Sequence, residues 1–255
     1  MNIRELYNYL DEIIPSDLSC AGDNDGLLCC PDPDREVRRV LVALDVTNEV
    51  VDEAVEGGFD LIVSHHPVIF RPLKSLDYDD GSSGKLIRLI RAGISVMSFH
   101  TRLDAVDGGV NDILADMLGL EDVRPFGVGG ELLGRVGRLE RPMTLDDFAR
   151  RVKSALGAPG VLVAGCGRTV STVALLGGSG KDDIIAAKET GADTYLSGRI
   201  GYHEMMAADE IDMNLIEAGH FYTEDPVCDR LAELIEEADE TIETVYMKSC
   251  AIKLI

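Results

Sequence analysis

The chain contains five histidines, and their positions carry most of its chemical information. His65 and His66 follow the apolar run Leu61–Ser64. His100 follows Ile94–Phe99, and His220 follows Asn214–Ala218 with Gly219 between; His203 is the fifth. Open α/β sheets collect their ligands beyond the carboxyl ends of strands, so four of the five fall where such a sheet gathers a site. Two have an acid four residues on: His100-Thr101-Arg102-Leu103-Asp104 and His220-Phe221-Tyr222-Thr223-Glu224. On a helical turn, positions i and i+4 share a face, so imidazole and carboxylate converge, and the two pairs fall at equivalent places in the two halves. Imidazole and carboxylate without thiolate suit a divalent Zn, Fe, Mn or Ni ion and argue against an iron–sulfur site. His65-His66-Pro67 needs a separate argument. Neighbours on an extended strand point to opposite faces. A strand end can turn, Pro67 fixes that turn, and adjacent histidines could then serve two neighbouring ions.

Three other features bear on the chemistry. Gly177-Gly178-Ser179-Gly180 follows an apolar strand and precedes a helix, so it reads either as a tight turn or as a contact for phosphate. It lacks the Lys-Ser/Thr of a P-loop. Asp23-Asn24-Asp25-Gly26 lacks the remaining positions of a calcium loop and reads as a turn or a pocket lip. The six cysteines include no CxxC pair and fit no zinc module, so buried thiols in a reducing cytosol are expected.

The elements that must position these residues alternate. Ile3, Leu6, Tyr7, Leu10, Ile13 and Ile14 recur at helix spacing, and Pro15 ends that helix. Val40–Val46 is a strand and Asn48–Glu56 a helix stopped by Gly57-Gly58. Leu61–Ser64 is a strand, and Asp77–Gly84 a surface loop. Helix Lys85–Ala92 closes at Gly93, strand Ile94–Phe99 follows, and helix Val110–Leu118 closes at Gly119. The second half continues with helix Thr144–Leu156, strand Val170–Leu176, helix Asp182–Glu189, strands Thr194–Leu196 and Asn214–Ala218, and helix Asp225–Ala238. This rhythm predicts an α/β fold with mainly parallel sheets covered by helices. Gly58-Phe59-Asp60-Leu61-Ile62-Val63-Ser64 aligns with Gly191-Ala192-Asp193-Thr194-Tyr195-Leu196-Ser197, which suggests an internal duplication. The boundary between the halves is expected near the glycine-rich 126–130.

Composition sets the outer limits. At 255 residues and about 150 per domain, one large or two small domains are expected. The 46 acids against 24 Lys and Arg give a net charge of −22, which makes the chain a poor binder of nucleic acid or anionic membrane. No stretch has the roughly 18–20 apolar residues of a membrane span. The opening MNIRELYNYLDE contains no apolar run, so a cytoplasmic location is expected.

Taken together, the motifs Asp23-Asn24-Asp25-Gly26-Leu27, Ser64-His65-His66-Pro67, His100-Thr101-Arg102-Leu103-Asp104, Gly177-Gly178-Ser179-Gly180, Ser197-Gly198-Arg199-Ile200-Gly201-Tyr202-His203 and Gly219–Glu224 resemble the Ngg-interacting-factor-three-like family, whose members are named GTP cyclohydrolase I type 2 homologues. The resemblance spans residues 23 to 224. It implies two similar, interlinked α/β domains: residues 1–126 carrying the HHP and HTRLD motifs, and 127–255 carrying the GYH and GHFYTE motifs, with a C-terminal part free to return to the first. The length leaves no room for the inserted middle domain of longer members. It further implies a dinuclear metal centre with His65, His66, Asp104, His220 and Glu224 as ligands, His100 and His203 in the same pocket, and a homohexamer. His100 and His203 would transfer protons or orient other groups. The family usually has Asn where Arg102 stands and an aromatic residue where Gly22 stands; Arg102 could therefore alter substrate contacts.

Two divalent ions would outweigh the two carboxylates and leave a positive site that favours hydroxide and an anionic ligand. Such a site would hydrolyse a nucleotide, pterin precursor or similar phosphorylated small molecule. The alternative is a non-catalytic metal-binding scaffold, chaperone or regulator.

Overall fold

The computed structural model describes residues 1–253; the last two residues of the second expected domain, 254 and 255, lie outside the described residues. In chain order the elements begin with α1 (Ile3–Ile13), β1 (Gly26–Cys29), β2 (Arg39–Ala43), α2 (Asn48–Glu56), β3 (Leu61–Ser64), α3 (Gly81–Ala92), β4 (Ser95–Ser98) and α4 (Thr101–Ala105). Then come α5 (Val110–Met117), β5 (Leu120–Val128), β6 (Glu131–Met143), α6 (Leu145–Ala155), β7 (Leu162–Ala164), β8 (Val170–Ser179), α7 (Ile184–Glu189), β9 (Thr194–Arg199), α8 (Tyr202–Met206), β10 (Asn214–Glu217) and α9 (His220–Glu224). The chain closes with α10 (Val227–Ala238) and β11 (Glu243–Tyr246). The fold is α/β, with two mixed sheets flanked by helices. No helix of the described residues is long and apolar enough to cross a membrane.

The elements divide into two compact units, one formed by Met1–Leu103 with Val227–Ala251 and the other by Asp104–Pro226 with Ile252 and Lys253. The first unit holds a five-stranded sheet in the order β1-β4-β3-β2-β11, parallel except for β1 against β4. Val40–Ala43 and Leu61–Val63 are wholly buried, as parallel strands covered on both faces must be. One face packs Leu41, Ala43, Ile62 and Val96 against α2 and α3. Helix α1 packs on α10, and α10 on β2. A capping box starts α1: Asn2 Oδ1 accepts from the Glu5 amide at 2.8 Å, and the Glu5 carboxylate accepts from the Asn2 amide at 2.9 Å. Helix α3 begins four residues before the expected Lys85. Asp80 Oδ1 accepts from the amides of Ser82 and Ser83, and this cap carries the helix through Gly81-Ser82-Ser83-Gly84, whose composition reads as loop.

The second unit holds six strands in the order β5-β6-β8-β9-β10-β7. Side chains alternate across it: Val173, Leu175, Leu196 and Ile216 join one core with Phe148 and Val152 of α6. Ala174, Leu176, Tyr195 and Leu215 join the other with Ile184 and Ala187 of α7. The antiparallel hairpin β5–β6 was not expected from the sequence. About half of its residues are exposed, and they interrupt any apolar run. The glycine-rich stretch near 126–130 forms its turn.

The two units repeat one pattern. In each, an antiparallel edge strand lies beside the third of three parallel strands, and the second is central: β1-β4-β3-β2 and β7-β10-β9-β8. The aligned acids do the same work. Asp60 Oδ2 accepts from the amides of Arg38 and Arg39 at 2.9 and 3.1 Å. Asp193 Oδ2 accepts from Ser171 and Thr172 at 3.0 and 2.9 Å.

Candidate metal centre

In the first unit, β3 and β4 deliver three imidazoles to one place. The ring centroids of His65, His66 and His100 lie 4.9, 5.4 and 5.7 Å apart. One ring nitrogen from each lies within 4.8 Å of the others, a group able to hold a metal ion. His65 is fully buried.

The other face of each ring is fixed by a group that can only accept. His65 Nδ1 meets the Phe99 carbonyl at 2.9 Å, His66 Nδ1 meets Asp45 Oδ1 at 2.7 Å, and His100 Nδ1 meets Asp23 Oδ1 and Oδ2 at 2.8 and 2.9 Å. Each Nδ1 therefore carries a hydrogen, and in the neutral ring each Nε2 is the bare nitrogen that can bind a metal. This donor chemistry fits a divalent transition metal without any change of tautomer.

Asp23 is thus more than a turn residue. Its carboxylate also accepts from Thr101 Oγ1 at 2.6 Å and the Thr101 amide at 3.2 Å. Burial alone would raise its pKa, but the bonds from Thr101 and His100 outweigh burial and hold it below the ordinary carboxylate value. Asp45 was missed in the sequence, although an acid at the end of the first parallel strand obeys the rule that found the histidines. Backbone pairing brings the two together, because the His66 amide donates to the Leu44 carbonyl at 2.9 Å.

Arg102 does not face a substrate. It is fully buried, with Nε 3.1 Å from Asp25 Oδ2, and Nη1 2.5 Å from Asp11 Oδ1 and 3.0 Å from the Ile14 carbonyl. Its guanidinium lies 4.7 Å from the Phe99 ring centre. Burial pulls its pKa down, but Asp11, Tyr7 and Asp25 hold it above the ordinary arginine value. It ties α1 and the 19–25 loop to the backbone that carries His100. The expectation that it alters substrate contacts is corrected by this burial.

In the second unit, the α9 pair forms as its spacing predicts: His220 Nε2 lies 2.9 Å from Glu224 Oε2, and Glu224 is buried. Two glycines admit this helix. A Cβ on Gly178, at φ +64°, would strike the Glu224 carboxylate, and one on Gly198 would strike the Gly178 carbonyl, Thr223 and the His220 backbone. The glycine loop therefore receives α9, and the phosphate-contact reading is corrected by its hydrogen bonds. The Gly177 amide donates to Asn111 Oδ1, Gly178 to Thr223 Oγ1, and Gly180 to Ser197 Oγ. Asp104 is buried in α4, and its carbonyl accepts from Asn111 Nδ2 at 3.2 Å.

The two His-x-x-x-acid motifs are not equivalent. The Phe99 amide donates to the Ser64 carbonyl and the Ala218 amide to the Ser197 carbonyl, both at 2.9 Å, so Phe99 matches Ala218 and His100 matches Gly219. The motifs are offset by one residue. His100 takes Asp23 as its Nδ1 partner, whereas His220 meets the acid four residues on through Nε2. His203 lies exposed on α8, its ring 5.5 Å from Tyr202, and joins none of the metal-donor groups among the described residues.

The family model described as Duf34/NIF3 (NGG1p interacting factor 3) matches residues 1–252. The chain is 34% identical over 256 residues to a Clostridium perfringens protein named GTP cyclohydrolase 1 type 2 homolog, with 97% of each covered. Among solved structures it is similar to the Bacillus cereus protein related to NIF3, with TM-score 0.90 and 25% identity, covering 100% of this chain and 99% of that one. A Staphylococcus aureus hypothetical protein gives TM-score 0.88 and 29% identity at the same coverage.

Proposed function

Because the chain belongs to the Duf34/NIF3 family, we propose that it is a metal-dependent hydrolase of a nucleotide or other phosphorylated small molecule. The observation that supports this reading best is the fixed tautomer of His65, His66 and His100, each with Nδ1 held by an acceptor. The proposed ligands are His65, His66, Asp104, His220 and Glu224, for two divalent transition-metal ions (Zn, Fe, Mn or Ni). His100 and His203 are the proposed proton-transfer or orienting groups. A bound divalent ion would supply Lewis acidity to activate water for attack.

The remaining work belongs to the chain. Asp23 keeps Nδ1 of His100 protonated, so Nε2 can take a proton from the attacking water and return it to the leaving group. Asp45 does the same orienting work for His66. Burial of His65, Asp104 and Glu224 keeps bulk water from competing for the donors. The name of the Clostridium perfringens relative makes GTP the first substrate to try. A homohexamer, six chains of 27.6 kDa, and a cytoplasmic location belong to the same proposal.

The test is metal content by mass spectrometry after dialysis, beside His65→Ala and Glu224→Ala, followed by assay against GTP and a phosphoester panel. About two ions per chain are expected, falling in both variants, with turnover that depends on metal. Protein that retains no ion and cannot be reloaded would overturn the reading. Retained metal without any turnover would favour the scaffold or chaperone role.

A further inference from the structure

The segment after the HHP motif leaves the metal-binding histidines and frames a cavity of about 530 Å³ in the first unit. Its wall begins at Pro67, next to His66, and includes Phe70, whose ring stands edge-on to His100 with centroids 6.0 Å apart and planes at 89°. One residue of the cavity wall thus borders the histidine group. Its charge runs against that of the chain. Acids outnumber Lys and Arg by 46 to 24 overall, yet the wall carries Arg71, Lys74 and Lys85 against one acid, Asp80.

That acid is already occupied, since its carboxylate accepts from the Ser82 and Ser83 amides and the Ser83 hydroxyl. Lys85 is also committed, with Nζ 2.6 Å from the Val46 carbonyl. Arg71 and Lys74 make no ion pair among the described residues, and both are exposed, as is Phe70 at 58%. An exposed phenylalanine and two uncommitted cations around a cavity of ligand size form a combined ring and phosphate receptor.

We propose that this cavity binds a nucleoside monophosphate, with Arg71 and Lys74 on the phosphate and Phe70 against the base. The assignment rests on the hydrolase reading for its purpose but not for its binding, because none of these three side chains needs a metal to act. Three exposed residues, rather than the histidines, then select the substrate.

The test is equilibrium binding of AMP and GMP, with adenosine, guanosine and inorganic phosphate as part-ligands, to metal-loaded and to chelated protein. Arg71→Ala/Lys74→Ala is expected to weaken monophosphate binding about tenfold or more, in both metal states. Phe70→Ala is expected to weaken nucleotide binding about threefold to tenfold and leave inorganic phosphate unchanged. Arg91→Ala/Lys153→Ala, which removes two exposed cations elsewhere, controls for net charge and should change nothing; a thermal melt confirms that each variant folds. Nucleotide binding indifferent to Arg71 and Lys74, or absent at about 1 mM in protein that retains its metal, overturns the cavity assignment and leaves the hydrolase reading standing. Binding that depends on these residues in protein that never takes up metal does the reverse.

Discussion

Replacing Arg102 by Met keeps most of the buried stem and removes the charge. Three contacts disappear: Asp25 Oδ2 at 3.1 Å, Asp11 Oδ1 at 2.5 Å and the Ile14 carbonyl at 3.0 Å. The cost depends on which partner can reach water. The Asp11 side chain is 34% exposed and rehydrates, so its share is about 1 kcal/mol or less. Asp25 is 7% exposed and keeps only the Ser19 hydroxyl and a 3.4 Å contact from the His100 amide. Leaving a carboxylate buried and unpaired costs about 3–5 kcal/mol, and loss of the guanidinium over Phe99 adds about 0.5–1 kcal/mol. Urea denaturation at pH 7 should therefore show Arg102→Met destabilised by about 3.5–7 kcal/mol, a large fraction of a typical domain's stability. Adding Asp25→Asn should restore part of the loss, because the stranded charge is gone. A single variant within about 1 kcal/mol of wild type, or a double variant worse than the sum of the singles, would refute the claim that burial of Asp25 sets the cost.

Two further expectations follow from the same kind of reasoning. Gly178→Ala places a methyl group against the Glu224 carboxylate at a backbone φ of +64°; it should cost about 1–3 kcal/mol and reduce metal retention by displacing Glu224, and wild-type stability with wild-type metal content would count against it. Burial alone would raise the Asp60 carboxyl, but the Arg38 and Arg39 amides and Arg35 outweigh it and hold its pKa below the ordinary value. Its contribution is complete above the unfolded value near 4 and is lost as pH falls through the lowered folded value. The urea midpoint of the wild type should drop across that acid window, and Asp60→Asn, already weaker at pH 7, should drop less.

Much of this site was legible because its chemistry sits at strand ends. Runs such as Leu61–Ser64 and Asn214–Ala218 announce buried parallel strands, and the polar residue that follows each one falls at the site by topology alone. The shared Gly-x-Asp block was legible as a repeat, since Asp60 and Asp193 each accept from two amides at the start of the corresponding strand, β2 and β8. Features that depend on through-space pairing could not be read. The Asp45–His66 and Asp23–His100 contacts join residues 21 and 77 positions apart. The one-residue offset between the His-x-x-x-acid motifs lies in backbone register, and spacing within either motif carries no trace of it. The β5–β6 hairpin stayed hidden because Glu121, Arg124, Glu131 and Arg138 dilute any apolar alternation, and helix α3 because its first turn is written in glycine and serine.

The first unit is assembled from two stretches of chain separated by Asp104–Pro226. Strand β2 lies between β3 and β11, so its outer edge, Val40 to Ala43, has no neighbour until residues 243–246 arrive. During synthesis Asp104–Pro226, the continuous body of the second unit, therefore emerges before the strand that closes the first sheet. The N-terminal sheet meanwhile waits with an apolar, unpaired edge, the kind of surface that recruits strands from other chains. Truncation before α10 would leave that edge permanently open, and the hazard to the cell would be aggregation of the nascent chain before any loss of activity was felt.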